Sequence, residues 1–82
     1  MSETSLEAYF QIFPKLHRLQ WLVYDLIANS PNGLTQLEAE EALAMKHQTV
    51  SPRFWELERM GVIKRTRQAV VGNRYIWVYE KT

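Results

Sequence analysis

The chain has 82 residues, 46% of them apolar, and a formal net charge of +1, which is expected to make one domain with a modest core. It holds no run of about 18 apolar residues to cross a membrane. It has no cysteine, and so neither a disulfide framework nor a thiolate metal site. No basic stretch with an apolar segment behind it opens the chain, so no secretory signal is read and a cytoplasmic location is expected. The small net charge conceals an asymmetry. Residues 1–43 carry two basic against six acidic side chains, net −4, and residues 44–82 carry eight against three, net +5. Basic charge gathered in one half is the footprint of a polyanion-binding face; an unevenly charged but merely solvated surface is the alternative.

In chain order, Thr4 to Phe13 reads as a short amphipathic helix. Thr4 and Glu7 have capping-box spacing, and Leu6, Phe10 and Phe13 share a face with Tyr9 beside them. Pro14 marks a break and the start of a new helix, with one long bent helix as the alternative. Residues 14–29 carry the strongest helical pattern: Leu16, Leu19, Val23 and Leu26 form a stripe widened by Leu22 and Ile27. A second flank carries Phe13, His17, Trp21, Tyr24 and Ala28. One small core does not need all this apolar surface. Either the leading helix folds back over it, or Tyr9, Phe13, His17, Trp21 and Tyr24 form a homodimer contact.

Ser30-Pro31-Asn32-Gly33 suits a turn, and Leu34 can pair briefly with a later hairpin. Residues 35–61 then read as helix, turn, helix. Thr35 and Glu38 supply a capping box, Ala39, Ala42 and Leu43 a small apolar face, and Ala44 to His47 a turn. The second helix has Val50, Phe54 and Leu57 on one buried stripe, Pro52 expected in its first turn, and Gly61 at its C-terminal cap. Residues 62–80 read as a β-hairpin with arms Val62–Arg67 and Tyr75–Glu80. Between them Gln68 to Arg74 is expected as a loop turning at Gly72-Asn73. Ile76 and Val78 are expected to face the helices, with Trp77 covering the sheet or the N-terminal helix.

The order helix, helix, short strand, helix, helix, strand, wing, strand resembles the winged helix-turn-helix superfamily of DNA-binding domains. The residues that carry this are Gly33-Leu34-Thr35, Glu38, Leu43, Thr49-Val50-Ser51-Pro52-Arg53, Glu56-Leu57, Gly61 and Ile63. The ending Arg74-Tyr75-Ile76-Trp77-Val78-Tyr79 after a basic hairpin is similar to small stand-alone phage and prophage members. The resemblance implies an α+β, mainly α, fold in a single domain over residues 1–82. Its parts are an N-terminal extension helix (4–13), a first core helix (14–29), the helix-turn-helix (35–61) and the wing (62–80). It also implies a small transcriptional regulator reading double-stranded DNA.

The B-DNA major groove admits an α-helix and displays a distinct pattern for each base pair, and the N-terminal residues of a recognition helix reach base edges first. Residues 48–60 would form that helix. Arg53 suits a bidentate contact to guanine and Gln48 a contact to adenine, while Thr49 and Ser51 suit phosphates. The alternatives are N-capping for Thr49 and Ser51, and an ion pair with Glu56 or Glu58 for Arg53. Lys46 and His47 in the turn are placed at the DNA backbone, with a plain polar turn residue as the other reading of His47. Lys64, Arg65, Arg67, Asn73 and Arg74 in the wing are placed at phosphates or the minor groove, with edge-strand protection as the alternative. Trp55 reads as a residue at the edge of the core, with a thymine-methyl contact or a protein anchor as alternatives.

An enzyme is not expected. His17 and His47 lie on separate elements, no serine sits in a nucleophile motif, no glycine-rich phosphate loop exists, and no cofactor is implied. The competing function is a winged-helix interaction module, such as a phage-derived protein that inhibits a host nucleic-acid machine.

Overall fold

The computed structural model describes residues 16–82. Its elements are α1 (Arg18–Ala28), β1 (Leu34–Thr35), α2 (Gln36–Leu43), α3 (His47–Arg59), β2 (Ile63–Val71) and β3 (Arg74–Lys81). The expected helix over 4–13, with Tyr9 and Phe13, lies outside the described residues, as do Pro14 and Lys15.

The first core helix starts later than its apolar pattern suggests. His17 is its N-cap: its Nδ1 accepts from the Gln20 N–H at 3.4 Å, while Gln20 Oε1 accepts from the His17 N–H at 3.1 Å. A histidine thereby plays the part usually taken by serine or threonine in a capping box, so Leu16 and His17 are not helical. The next box is the expected one, with Thr35 Oγ1 accepting from Glu38 N–H at 3.2 Å and Glu38 Oε1 accepting from Thr35 N–H at 2.9 Å.

Helices α2 and α3 approach closely over Ala39, which is fully buried, whereas Ala42 points to solvent and leaves the small face it was expected to share. The turn between them is only Ala44 to Lys46, because His47 already belongs to α3. Ala44 holds φ 53°, with Ala44 N–H donating to Glu41 O and Met45 N–H to Glu40 O. Helix α3 ends in the same way at Gly61 (φ 78°), with Gly61 N–H bonded to Glu58 O and Val62 N–H to Leu57 O. This Schellman pair needs a left-handed residue, and glycine takes that role without steric cost. Pro52 stands in the second turn of α3, not the first. Lacking an N–H, it leaves the Gln48 carbonyl without its helical donor.

The sheet order is β1-β3-β2, all antiparallel. The hairpin is longer than expected: residues 68–71 and Arg74 belong to the ladder, and the loop shrinks to Gly72-Asn73, with Val71 opposite Arg74. The tract Gln68-Ala69-Val70-Val71 has the β-branched character that prolongs a strand. A bulge at Thr66 shifts the register between Arg65 and Arg67. Such a bulge together with strand charges protects the exposed edge of β2 from pairing with other chains.

Val23, Tyr24, Ile27, Leu34, Ala39, Val50, Phe54, Leu57, Ile63 and Tyr79 form one core. The expected stripe Val50, Phe54, Leu57 is wholly within it. The expected inward pair Ile76 and Val78 is not. Tyr79 takes the inward position, edge-on to Phe54 with ring centroids 4.9 Å apart. Cross-strand partners share a face, so Tyr79 follows Arg65, its partner, toward α3. Val78 is buried beside Gly33, where even a Cβ on the glycine would collide with it.

Candidate nucleic-acid interface

The surface of α3 is divided by its own salt bridges. With Val50, Phe54 and Leu57 inward, the 3.6-residue repeat carries Gln48, Pro52, Trp55 and Arg59 outward at i, i+4, i+7 and i+11. All four are exposed. Trp55 is 57% exposed, so it is not the core-edge residue expected. The Arg59 guanidinium carbon sits 4.7 Å from the centroid of its indole, within cation–π range.

Arg53 departs most from expectation. It lies on the flank of the helix, its side chain only 20% exposed, with Nε 2.8 Å from Glu56 Oε1. Nη2 donates to Glu56 Oε2 at 3.0 Å; Nε makes a close charge contact without the alignment of a hydrogen bond. Glu56 also accepts from Gln20 Nε2 at 2.9 Å and lies 3.7 Å from His17 Nε2. The Gln20 hydrogen bond, then Arg53, then His17 hold the Glu56 carboxyl below its ordinary value, against the opposing effect of desolvation. Of the two expected readings of Arg53, the ion pair is the one present.

Two wing arginines are also engaged. Arg65 Nε and Nη2 donate to the Glu58 carboxylate at 2.7 and 3.1 Å, which raises the guanidinium pKa, and its head lies 5.4 Å from the Trp77 ring centroid. Arg67 Nη2 donates to Asn32 O at 2.9 Å, and its Nη1 lies 3.7 Å from Glu80. These contacts tie the base of the hairpin to α3 and to the loop before β1. His47, first residue of α3 and not a turn residue, has its Nδ1 2.8 Å from Glu40 Oε2.

Lys46, Lys64 and Arg74 are exposed and make no ion pair among the described residues. Lys46 is the N-cap of α3 and gives it no side-chain cap, and neither Thr49 nor Ser51 supplies one. The first N–H groups of the helix are therefore left for water or an anion. Thr49 and Ser51 are half-buried, Gln48 and Asn73 exposed. A cleft of about 230 Å³, lined by His47, Arg74, Leu37 and Trp77 among others, separates the start of α3 from the hairpin.

The expected dimer residues separate. Tyr24 is 7% exposed and belongs to the core, so it is not presented to a second copy. Trp21 is half-buried and His17 exposed at the start of α1. No described helix is long and apolar enough to cross a membrane. Among the described residues no cluster of His, Asp or Glu can hold a metal ion.

Two solved structures of Staphylococcus aureus MepR have this architecture. One is a glycine-to-lysine mutant, 26% identical, with a TM-score of 0.68. The other is a phenylalanine-to-leucine mutant bound to an oligodeoxyribonucleotide, 26% identical, with a TM-score of 0.66. The fold is a winged helix. Each alignment covers 98% of this chain and 58% of the MepR chain, so this winged helix spans a little over half the length of those proteins. No protein-family model and no curated sequence matches the chain.

Of the outward stripe, Trp55 carries a thymine-methyl or protein contact among its expected readings, whereas Pro52 and Arg59 are not among the expected contact residues. The signal was present in the spacing: once Val50, Phe54 and Leu57 define the inner side, these positions fall opposite it.

Proposed function

We propose that the chain is a small transcriptional regulator that binds double-stranded DNA sequence-specifically. Helix α3 enters the major groove, and the hairpin lies along the backbone or the minor groove. The observation that carries this reading is the outer surface of α3, uncapped at its N-terminus, with Lys46 at that end and Arg74 across the cleft from it, neither in an ion pair among the described residues. The oligodeoxyribonucleotide-bound MepR chain of the same fold supports it. In this reading Gln48 reads base edges and Thr49 and Ser51 approach phosphates. Arg53 supports the helix through Glu56 and does not face the bases. Arg74, at the tip of the wing, is the minor-groove candidate, with Asn73 beside it. A homodimer would place two copies on one operator.

Selection from a random duplex pool tests the reading: a consensus should emerge, and a dimer gives a palindromic one. Failure to enrich any sequence, with no retention on DNA resin at low salt, overturns it. A second reading, a module that docks on a protein, draws on the exposure of Trp55 and Met60 (57% and 40%). Under that reading the chain passes through DNA resin unretained.

A further inference from the structure

Apart from Gln48, the outward residues of α3 are not the ones a recognition helix is expected to use, and this bears on what the helix reads. Gln48 and Arg59 stand eleven residues apart, about 16 Å at 1.5 Å per residue, which exceeds the roughly 12 Å width of the major groove. Trp55 falls between them, on the side of the helix turned away from the core. Its indole is exposed, and the Arg59 guanidinium is stacked on it, which favours one orientation of the ring. Charge identifies the partner. The two carboxylates on α3 are matched, Glu56 by Arg53 and Glu58 by Arg65, so the outer stripe presents the cation Arg59, with Lys46 beyond its N-terminal end, and no uncompensated negative charge. An apolar plate inside a cationic rim suits a polyanion carrying apolar groups on its groove floor, and in duplex DNA that group is the thymine C5-methyl.

We propose that Trp55 is a specificity residue that recognises thymine methyl groups in the major groove, held in place by Arg59. The inference rests on the DNA-binding reading above. It assigns the methyl discrimination to a residue that makes no hydrogen bond to a base, and it removes Arg53 from direct readout.

The test uses the duplex obtained by selection and a set of variants in which each thymine in turn is replaced by deoxyuridine. That change removes the methyl group and leaves base pairing intact. Affinities are measured by fluorescence anisotropy with the full chain. Wild type should lose about 4-fold at one or two thymines, the value of one buried methyl. Trp55→Ala should bind the deoxyuridine and thymine duplexes alike, Trp55→Phe should retain part of the difference, and Arg59→Gln should narrow it. Because Trp55 is exposed, these variants should fold, which circular dichroism checks. If wild type is indifferent to every methyl, or if Trp55→Ala keeps the wild-type pattern, the proposal is overturned while DNA binding stands. If no duplex binds at low salt, the DNA reading itself fails and this inference falls with it.

Discussion

Arg53 is turned back onto Glu56, its Nη2 3.0 Å from Oε2, in the position from which it was expected to reach a guanine. The pair does two things. It neutralises a carboxylate on the helix proposed to approach phosphates. Through Gln20 and His17 on the same carboxylate, it also fixes the flank of α3 to the start of α1. Arg65 does the same for Glu58 from the wing side. The cations legible in the sequence therefore fall into two groups: those that cancel charge on α3 or brace the wing, and those left for a partner.

The Glu56 network makes stability depend on acid. Its carboxyl is held below the ordinary value of 4.5, first by Gln20 and then by Arg53. A group whose pKa is depressed on folding contributes stability that is complete above its unfolded pKa. That stability is lost as pH falls through the folded value. Wild type should therefore exceed Glu56→Gln in stability at neutral pH, and the difference should shrink below about pH 4.5. Urea denaturation of both proteins at pH 7 and pH 3 measures this. A difference that stays constant between the two would show that Glu56 acts by packing alone.

The two groups of cations should separate in salt dependence. Each lysine or arginine neutralising a phosphate contributes about 0.9 to the slope of log affinity against log salt. Lys46→Ala, Lys64→Ala and Arg74→Ala should each lower the slope by about that amount and weaken all sequences alike. Arg53→Ala and Arg67→Ala should change the slope less, since in each the charge is already facing a carboxylate of the same chain. Equal slopes for the two groups would mean that the ion pairs open on DNA.

Much of the fold was legible because local and tertiary signals agree. The Thr35 box, the Val50-Phe54-Leu57 stripe, Gly61 and the brief strand at Leu34 each have a local cause and occur where expected. The failures have causes at longer range. A histidine capping box is not a signal that propensity supplies, so the start of α1 was misplaced. Tyr79 points at α3 where Val78 was expected, and Val78 is buried against Gly33 instead, because facing is set by register against β2 and by the bulge at Thr66, which spacing within β3 does not reveal. Arg53 is held by Glu56 where position on the helix aimed it outward, because position gives direction while the partner that captures a side chain comes from elsewhere. Glu56 was visible three residues away; Gln20, which orients it, comes from another helix.

Ala44 holds a left-handed conformation, φ 53°, at the end of α2. For a residue with a Cβ this costs about 1–2 kcal/mol, a penalty that glycine avoids. Part of the gain is offset by the greater freedom of glycine in the unfolded chain. Ala44→Gly should therefore stabilise the protein by about 1 kcal/mol and raise Tm by roughly 4–8 °C. Thermal unfolding checks both, and an unchanged or lower Tm would show that the turn relaxes around the alanine.

Gly33 is subject to two separate constraints, and an alanine there should show both. Its φ is +88°, and a Cβ would lie 3.1 Å from Tyr79 O and 3.2 Å from Glu80 Cγ, besides colliding with the Val78 side chain. The Tyr79 carbonyl cannot yield easily, because Tyr79 is paired with Leu34 in the sheet and packed on Phe54 in the core. The backbone term is about 1–2 kcal/mol and crowding adds about 1–3 kcal/mol, so Gly33→Ala should cost about 3 kcal/mol. A domain of this length has about 4–12 kcal/mol in all, so the loss is a large share. Gly61 supplies the control. Its φ is +78° and nothing lies within 4 Å of a Cβ there, so Gly61→Ala should cost the backbone term alone. Urea midpoints for the two variants, compared at equal m, separate crowding from backbone strain. Equal losses would mean that β3 shifts to make room, and that the Gly33–Val78 contact does not set the position of the wing.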